Sequence, residues 1–486
     1  MMHGTEKSDS AVRAMKPANK AGRPAAERVE QRAGTKGNTS QPRTRRTQSR
    51  ASVSPGLERV RHVARQRKKE QFTALLHHVT VDSLRDAFLA LKRHAAPGVD
   101  GVTWQDYEAD LEANLQALTA RVHRGTYRAL PVRRRFIPKP DGRLRPLGIA
   151  ALEDKIVQRA IVTVLNAIYE GDFLGFSYGF RPQRSQHDAL DALSVAICDT
   201  PVNWILDADI RGFFDSLSQE WLVRFLEHRV GDERMIRLVR KWLKAGILEE
   251  GAWSVSETGT PQGAVASPLL ANVYLHYVFD LWAKQWRRRE ATGNVIVVRY
   301  ADDIVAGFEH ETDARRFLDL LREWMGNLHW RPLIEFGRHA VENRRRHGLG
   351  KPETFNFLGF TFICGTSRRG RFLVKRKSRR DRRQAKLQAI KQELRRRINQ
   401  PIREQGKWLK QVVGGYFRYH AVPTNSYALE QFRNGVAALW RQLLSRRSQK
   451  ADRPWTWFAM LVDYWLPQPK ILHPWPRQRF AATHPR

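Results

Sequence analysis

An α+β fold is predicted by three features of this 486-residue chain. Runs with a helical period, such as LEDKIVQRAIVTVLNAIYEG (152–171), interleave with short β-rich runs such as VNWILDADI (202–210). Two segments, at 133–149 and 295–308, read as strand, turn, strand. From residue 367 onward the composition shifts to a strongly basic stretch and then an aromatic-rich helical end.

Taken in order, residues 1–56 are rich in Ala, Gly, Ser, Thr, Gln and Arg and offer few large apolar side chains to bury, which predicts a disordered basic tail. Helical spacing begins at LERVRHVARQRKKEQFTALLHHV, and a second helical stretch ends near AAPGVDGVT, where Pro97, Gly98 and Gly101 make a turn. This gives an N-terminal helical unit over 57–130. RRRFIPKPDGRLRPLGI then predicts a basic hairpin turning at Pro140-Asp141-Gly142. Two helical runs, 152–171 and around DALDALSVAI (188–197), lead to the strand VNWILDADI. A second hairpin has Val295–Arg299 and Ile304–Phe308 as its arms and Asp302 with Asp303 at its tip. The resulting boundaries are 57–130, 131–365 and 366–486.

Lys+Arg 85 against Asp+Glu 49 gives a formal charge of +36, a field that attracts polyanions and makes nucleic acid the first partner to consider. The two cysteines, Cys198 and Cys364, match neither a disulfide framework nor a zinc spacing. No apolar stretch approaches the length of a membrane span, so a soluble, cytoplasmic protein without a membrane partner is expected.

The chemistry gathers at acids. Asp209 lies near the C-terminal end of its strand, and Asp302 and Asp303 interrupt an otherwise apolar run. Set side by side, the two strands would bring three carboxylates together, a repulsive arrangement unless a cation neutralises it. Mg²⁺ suits such a site, and two such ions are the usual apparatus of in-line phosphoryl transfer. An isolated Asp-Asp pair could also serve only a turn's backbone geometry.

Ordered motifs between about 57 and 480 resemble the reverse transcriptases encoded by bacterial group II introns. They are APGVDGVT (96–103), IPKPDGRLRPLGI (137–149), SYGFRPQRSQHDAL (177–190), DADIRGFFDSL (207–217), GTPQGAVASPLLANVYL (259–275), RYADDIV (299–305), IEFGR (334–338) and FNFLGFTF (355–362). The resemblance implies a right-hand polymerase of fingers, palm and thumb, with an antiparallel palm sheet and a helical maturase domain, copying RNA into DNA with two Mg²⁺ ions. It casts Asp209, Asp302 and Asp303 as catalytic acids and metal ligands, with Ile210 beside them in the metal set. Lys139 and Arg145 correspond to residues that clamp the incoming dNTP, Phe214 to the steric gate against a 2′-hydroxyl, and Gln262 to a contact with the nucleotide sugar. Phe213 is expected to pack, and Arg181 to contact template or order the fingers.

WLKQVVGGYFRYHAV (408–422), LLSRRSQK (443–450) and PKILHPWP (469–476) resemble the family's thumb and maturase segment, which grips intron RNA. Trp408, Tyr416, Tyr419, Trp440 and Trp457 among basic residues suit base stacking, and each also suits a helix-bundle core. The implied partners are intron RNA, an RNA template–primer, target DNA and dNTPs, with the protein on the bacterial nucleoid when it engages its target. Two features depart from the family. GNLHWRPLIEFGR (326–338) lacks the Lys-Thr pair that usually follows the hairpin, with Arg331 nearby, and no His-Asn-His endonuclease module follows the helical end. Two other readings are a reverse transcriptase recruited for defence and a splicing-only maturase whose polymerase site has decayed.

Overall fold

The computed structural model describes residues 55–138, 144–210, 212–249, 251–254, 258–260, 263–325, 328–330, 332–447 and 454–483. Nearly all of the basic tail lies outside them, as do Lys139, Gln262 and Arg331. Helices α1 (Pro55–Gln66), α2 (Val81–Leu89), α3 (Trp104–Ala109) and α4 (Leu111–Arg124) open the fold. Reciprocal caps, Thr80 with Ser83 and Thr103 with Asp106, start α2 and α3 by satisfying backbone N–H groups that a helix leaves unpaired. At the far end of α4, Gly125 takes a left-handed φ of 78° and stops the helix.

The two strands of the basic hairpin pair as expected, and the expected turn at Pro140-Asp141-Gly142 lies outside the described residues. β1 (Val132–Pro138) pairs antiparallel with β2 (Leu144–Ile149), Ile137 opposite Arg145. Then come α5 (Leu152–Asp172), α6 (Gln186–Asp199), β3 (Trp204–Ile210), α7 (Phe213–Ser216), α8 (Gln219–Glu227), α9 (Glu233–Lys244), β4 (Ile247–Glu249), β5 (Ala252–Ser254) and α10 (Ser267–Leu275). A π-turn over His276–Asp280 joins α10 to α11 (Leu281–Arg289). β6 (Val295–Tyr300) and β7 (Asp303–Phe308) form the second hairpin, followed by α12 (Glu311–Met325), β8 (Leu328–Trp330), β9 (Ile334–Glu335) and α13 (Ala340–Arg346). The chain continues through β10 (Phe355–Phe357), β11 (Phe360–Thr366), β12 (Phe372–Ser378), α14 (Arg380–Arg396), α15 (Ile402–His420), α16 (Ser426–Ser445), α17 (Trp455–Trp465) and α18 (Pro476–Thr483).

Among the described residues the strands form three sheets. The central one runs β6-β7-β3-β8, with β9 also on β3, and its pairs are antiparallel. Its side chains alternate between two cores, as the two-residue period of a strand requires. Leu206, Ala208, Val295, Val297, Ile304 and Ala306 join the larger core. Ile205, Ile296, Val298 and Val305 join a second core that includes α6 and β10–β12. Burial on both faces explains why VIVV reads as an unbroken apolar run. A third core, around Leu409, Phe432, Trp440 and Phe458, belongs to the C-terminal helices.

The compositional shift near residue 366 falls at the turn of the β11–β12 hairpin, where Thr366 pairs with Phe372. The backbone ladder therefore carries across it, and the helical part begins at Arg380. A buried ion pair ties this hairpin to α6: Arg376 and Asp191, each 2% exposed, lie 2.6 Å apart.

Candidate active site

The strand register brings the acids to one end of the central sheet. β3 and β7 run antiparallel with Asp209 opposite Asp303, and Tyr300 of β6 is opposite Asp303 on its other side. Directly paired residues share a face, so the Asp209 and Asp303 carboxylates stand together, both exposed. This refines one expectation, because Asp303 is the first residue of β7 and not part of the hairpin tip. Asp302 occupies the adjoining turn, close enough for the Asp209 charge to act on its carboxyl. Among the described residues no group of three or more His, Cys, Asp or Glu is gathered to hold a metal ion on its own.

The turn itself is held from two sides. Ala301 adopts a left-handed φ of 56°, uncommon for a residue with a Cβ. Arg299, fully buried, donates from Nη1 to the Ala301 carbonyl at 3.0 Å. It is anchored in turn by Asp280, Ser177 and Asn272. From outside, the SYGF loop presses against the turn. Tyr178 N–H donates to the Arg299 carbonyl at 2.8 Å, Arg299 N–H donates to the Phe176 carbonyl at 2.9 Å, and Gly179 sits directly on the backbone of Tyr300 and Ala301.

Electrostatics agree with a cation site. Burial above all, with the Asp209 charge adding to it, pushes the Asp302 carboxyl above its ordinary value, while a backbone hydrogen bond and then Arg145 and Arg299 pull it back. A carboxylate that resists ionisation gains from a neighbouring cation. Oxygen donors at a solvent-facing strand end fit Mg²⁺, which commonly takes one or two carboxylates and completes its shell with water and substrate phosphates. Ile210 is buried at the end of β3 beside Asp209.

Around the acids, Arg145 is exposed on β2 and its charge reaches Asp302. Phe213 packs in the larger core, as expected. Phe214 is half-buried and lines a cavity of about 370 Å³ with Arg134, Pro146, Gly148 and Gly259. Gly259, with a φ of 81°, lies so close to α7 that a Cβ would meet the Phe214 carbonyl oxygen at 2.6 Å. Gly263 makes a similar approach to the Gly148 carbonyl oxygen at 2.7 Å. Arg181 orders the chain: it is 6% exposed, pairs with Glu170 at 3.0 Å and donates to the Leu174 and Ser177 carbonyls.

Among the C-terminal aromatics the core role holds for Trp440, which is fully buried and donates to Gln405 Oε1 at 2.9 Å, and for Tyr416, stacked on Phe432. The exposed rings are others, including Trp455, Tyr464 and Tyr427. The elements that sequence reasoning missed are Asp280, Asn272, Ser177 and Gly179. One signal was available: an arginine inside a strand buried on both faces requires a partner.

Residues 137–362 match the family described as reverse transcriptase (RNA-dependent DNA polymerase). The chain is 34% identical over 300 residues to protein YkfC of Escherichia coli (strain K12), covering 55% of this chain and 76% of that protein. It is 35% identical over 222 residues to the group II intron-encoded protein LtrA of Lactococcus lactis subsp. cremoris, covering 45% of this chain and 37% of LtrA. A third relative, nuclear intron maturase 3, mitochondrial, of Arabidopsis thaliana, is 29% identical over 179 residues, 33% of this chain and 25% of that protein.

Proposed function

The chain belongs to the reverse transcriptase family, in its group II intron-encoded maturase branch, and from that premise we propose that it polymerises DNA on an RNA template and grips intron RNA to assist splicing and retrohoming. The observation that carries the catalytic part is the register of Asp209 against Asp303 with Asp302 in the adjoining turn. In this reading the central sheet is the palm, the sheet β2-β1-β4-β5 belongs to the fingers, and the helices from Arg380 are thumb and maturase domain.

Asp209 and Asp302 would hold Mg²⁺ with the Ile210 backbone carbonyl, and Asp303 would be the weaker third acid. The chemistry that two bound Mg²⁺ ions would supply is activation of the primer 3′-hydroxyl and stabilisation of the leaving pyrophosphate. Lys139 and Arg145 bind the triphosphate, which a guanidinium can grip through paired hydrogen bonds. Phe214 closes the space a ribose 2′-hydroxyl would need, and Gln262 lies against the sugar. The half-buried position of Phe214 beside a cavity supports its gate role. The net charge of +36 supports RNA and DNA as partners through phosphate contacts.

The shortened segment at 326–333 favours a second reading, a maturase with a decayed polymerase site. Primer extension on an RNA template with dNTPs separates the two. Extension that requires Mg²⁺ and stops on chelation supports the polymerase; intron splicing without any extension supports the second reading.

A further inference from the structure

Resting on the polymerase reading, we infer that the buried Arg299–Asp280 pair positions the Asp302 turn and thereby sets how tightly the acidic site takes up its divalent ion. Arg299 lies in β6 with no exposed surface, beside the equally buried Val298. Each nitrogen of its guanidinium has a partner. Nε donates to Asp280 Oδ1 at 2.7 Å, and Nη2 donates to Asp280 Oδ2 at 2.6 Å and to Ser177 Oγ at 2.7 Å. Nη1 donates to Asn272 Oδ1 at 3.2 Å and to the Ala301 carbonyl at 3.0 Å.

Stability alone is a weak reason to bury such a pair, since well-packed hydrocarbon of similar volume often does as well. What hydrocarbon cannot do is hold the Ala301 carbonyl. That carbonyl belongs to the residue before Asp302, and its backbone is in the left-handed region that alanine rarely adopts unless held. The Arg299 contact therefore fixes the peptide that aims Asp302.

The π-turn has a role in the same device. At 3.6 residues per turn, side chains eight residues apart diverge by about 80° around a helix. Asn272 and Asp280 are eight apart, yet both accept from one guanidinium. Absorbing one residue in the π-turn makes the spacing equivalent to about seven, which leaves the two side chains roughly 20° apart. Residues 276–280 thus bring Asp280 onto the face that Asn272 already presents to Arg299. Asn272 also donates from Nδ2 to the Gly179 carbonyl at 2.7 Å, so one side chain joins the inner and outer supports of the turn.

The test measures Mn²⁺ affinity by electron paramagnetic resonance on protein bound to template–primer and a non-hydrolysable dNTP, alongside the Mg²⁺ dependence of primer extension. Arg299→Lys keeps the charge but cannot span all these acceptors, and supporting partners of metal ligands typically carry 10-fold or more in affinity, so about ten-fold weaker Mn²⁺ binding is expected. Mn²⁺ should restore extension better than Mg²⁺ does. Ser177→Ala removes a single acceptor and is the variant that decides if the lysine protein does not fold; about three-fold weaker Mn²⁺ binding is expected. Intron RNA affinity should stay at the wild-type value in both, which a general loss of structure would not allow. Wild-type Mn²⁺ affinity and Mg²⁺ dependence in the folded variants would overturn the inference. A wild-type protein that neither binds the ion nor extends would instead overturn the polymerase reading.

Discussion

Replacing Gly179 by alanine should slow DNA synthesis without touching an acid. A Cβ at this position would run into the Ala301 backbone nitrogen, with the Tyr300 carbonyl carbon at 2.9 Å and the Ala301 Cα at 3.0 Å. These are backbone atoms, so no side-chain rotation relieves the clash. Restoring ordinary carbon contacts of about 3.5 Å requires the loop and the turn to part by roughly 1 Å. A displacement of that size at a reacting centre costs on the order of 10²-fold in rate, or about 2.7 kcal/mol in the barrier. Overpacking itself destabilises a protein by about 1–3 kcal/mol, which a typical stability of roughly 5–15 kcal/mol can absorb. The assay is single-nucleotide incorporation at saturating dNTP, with intron RNA affinity and thermal melting as controls. RNA affinity should be unchanged, because the C-terminal helices have their own core. A wild-type incorporation rate would refute the claim that this contact sets the position of Asp302.

Phe214→Ala should admit ribonucleotides, and unchanged sugar discrimination in incorporation assays would remove the gate assignment. Asp154 gives a pH prediction. Burial pushes its carboxyl up from 3.8 to about 6, against hydrogen bonds from Tyr127 and the Leu130 N–H. The folded state therefore holds this proton more tightly than the unfolded state, and stability falls as pH rises from about 4 to about 6. The loss is on the order of 2–3 kcal/mol. Asp154→Asn should flatten that slope in denaturant titrations across the range, and an unaltered slope would contradict the assignment. Asp191→Ala takes a carboxylate partner from both Arg376 and Arg479 and should cost about 3–5 kcal/mol by chemical denaturation, part of it recovered by adding Arg376→Met.

The strands and helices were legible where burial is simple. The strands of the hairpins read at 133–149 and 295–308, the helix read at 152–171 and the strand read at 202–210 all have counterparts, within a residue or two, and follow from periodicity and turn residues alone. Local pattern could not supply register, which depends on pairing between strands distant in sequence. The sequence reading therefore put Asp303 at the hairpin tip, whereas it opens β7 and faces Asp209. The compositional boundary near 366 responds to surface charge and not to backbone pairing, and it falls within a hairpin. Asp280 escaped notice because its role depends on a π-turn that shifts the helical phase by one residue. Trp440 and Trp455 look alike in sequence, yet one is buried and the other exposed, since only packing decides which side of a helix meets the core.

Under the proposed function the acidic strand end is a polymerase centre separate from the RNA grip. The measurement that tests this most directly is primer extension on an RNA template with Mg²⁺ and dNTPs by the wild type and Asp302→Ala, with intron RNA affinity measured on the same preparations. Extension by the wild type alone and equal RNA affinity for both are expected. Extension by folded Asp302→Ala at the wild-type rate, or loss of RNA affinity in step with extension, would contradict that reading.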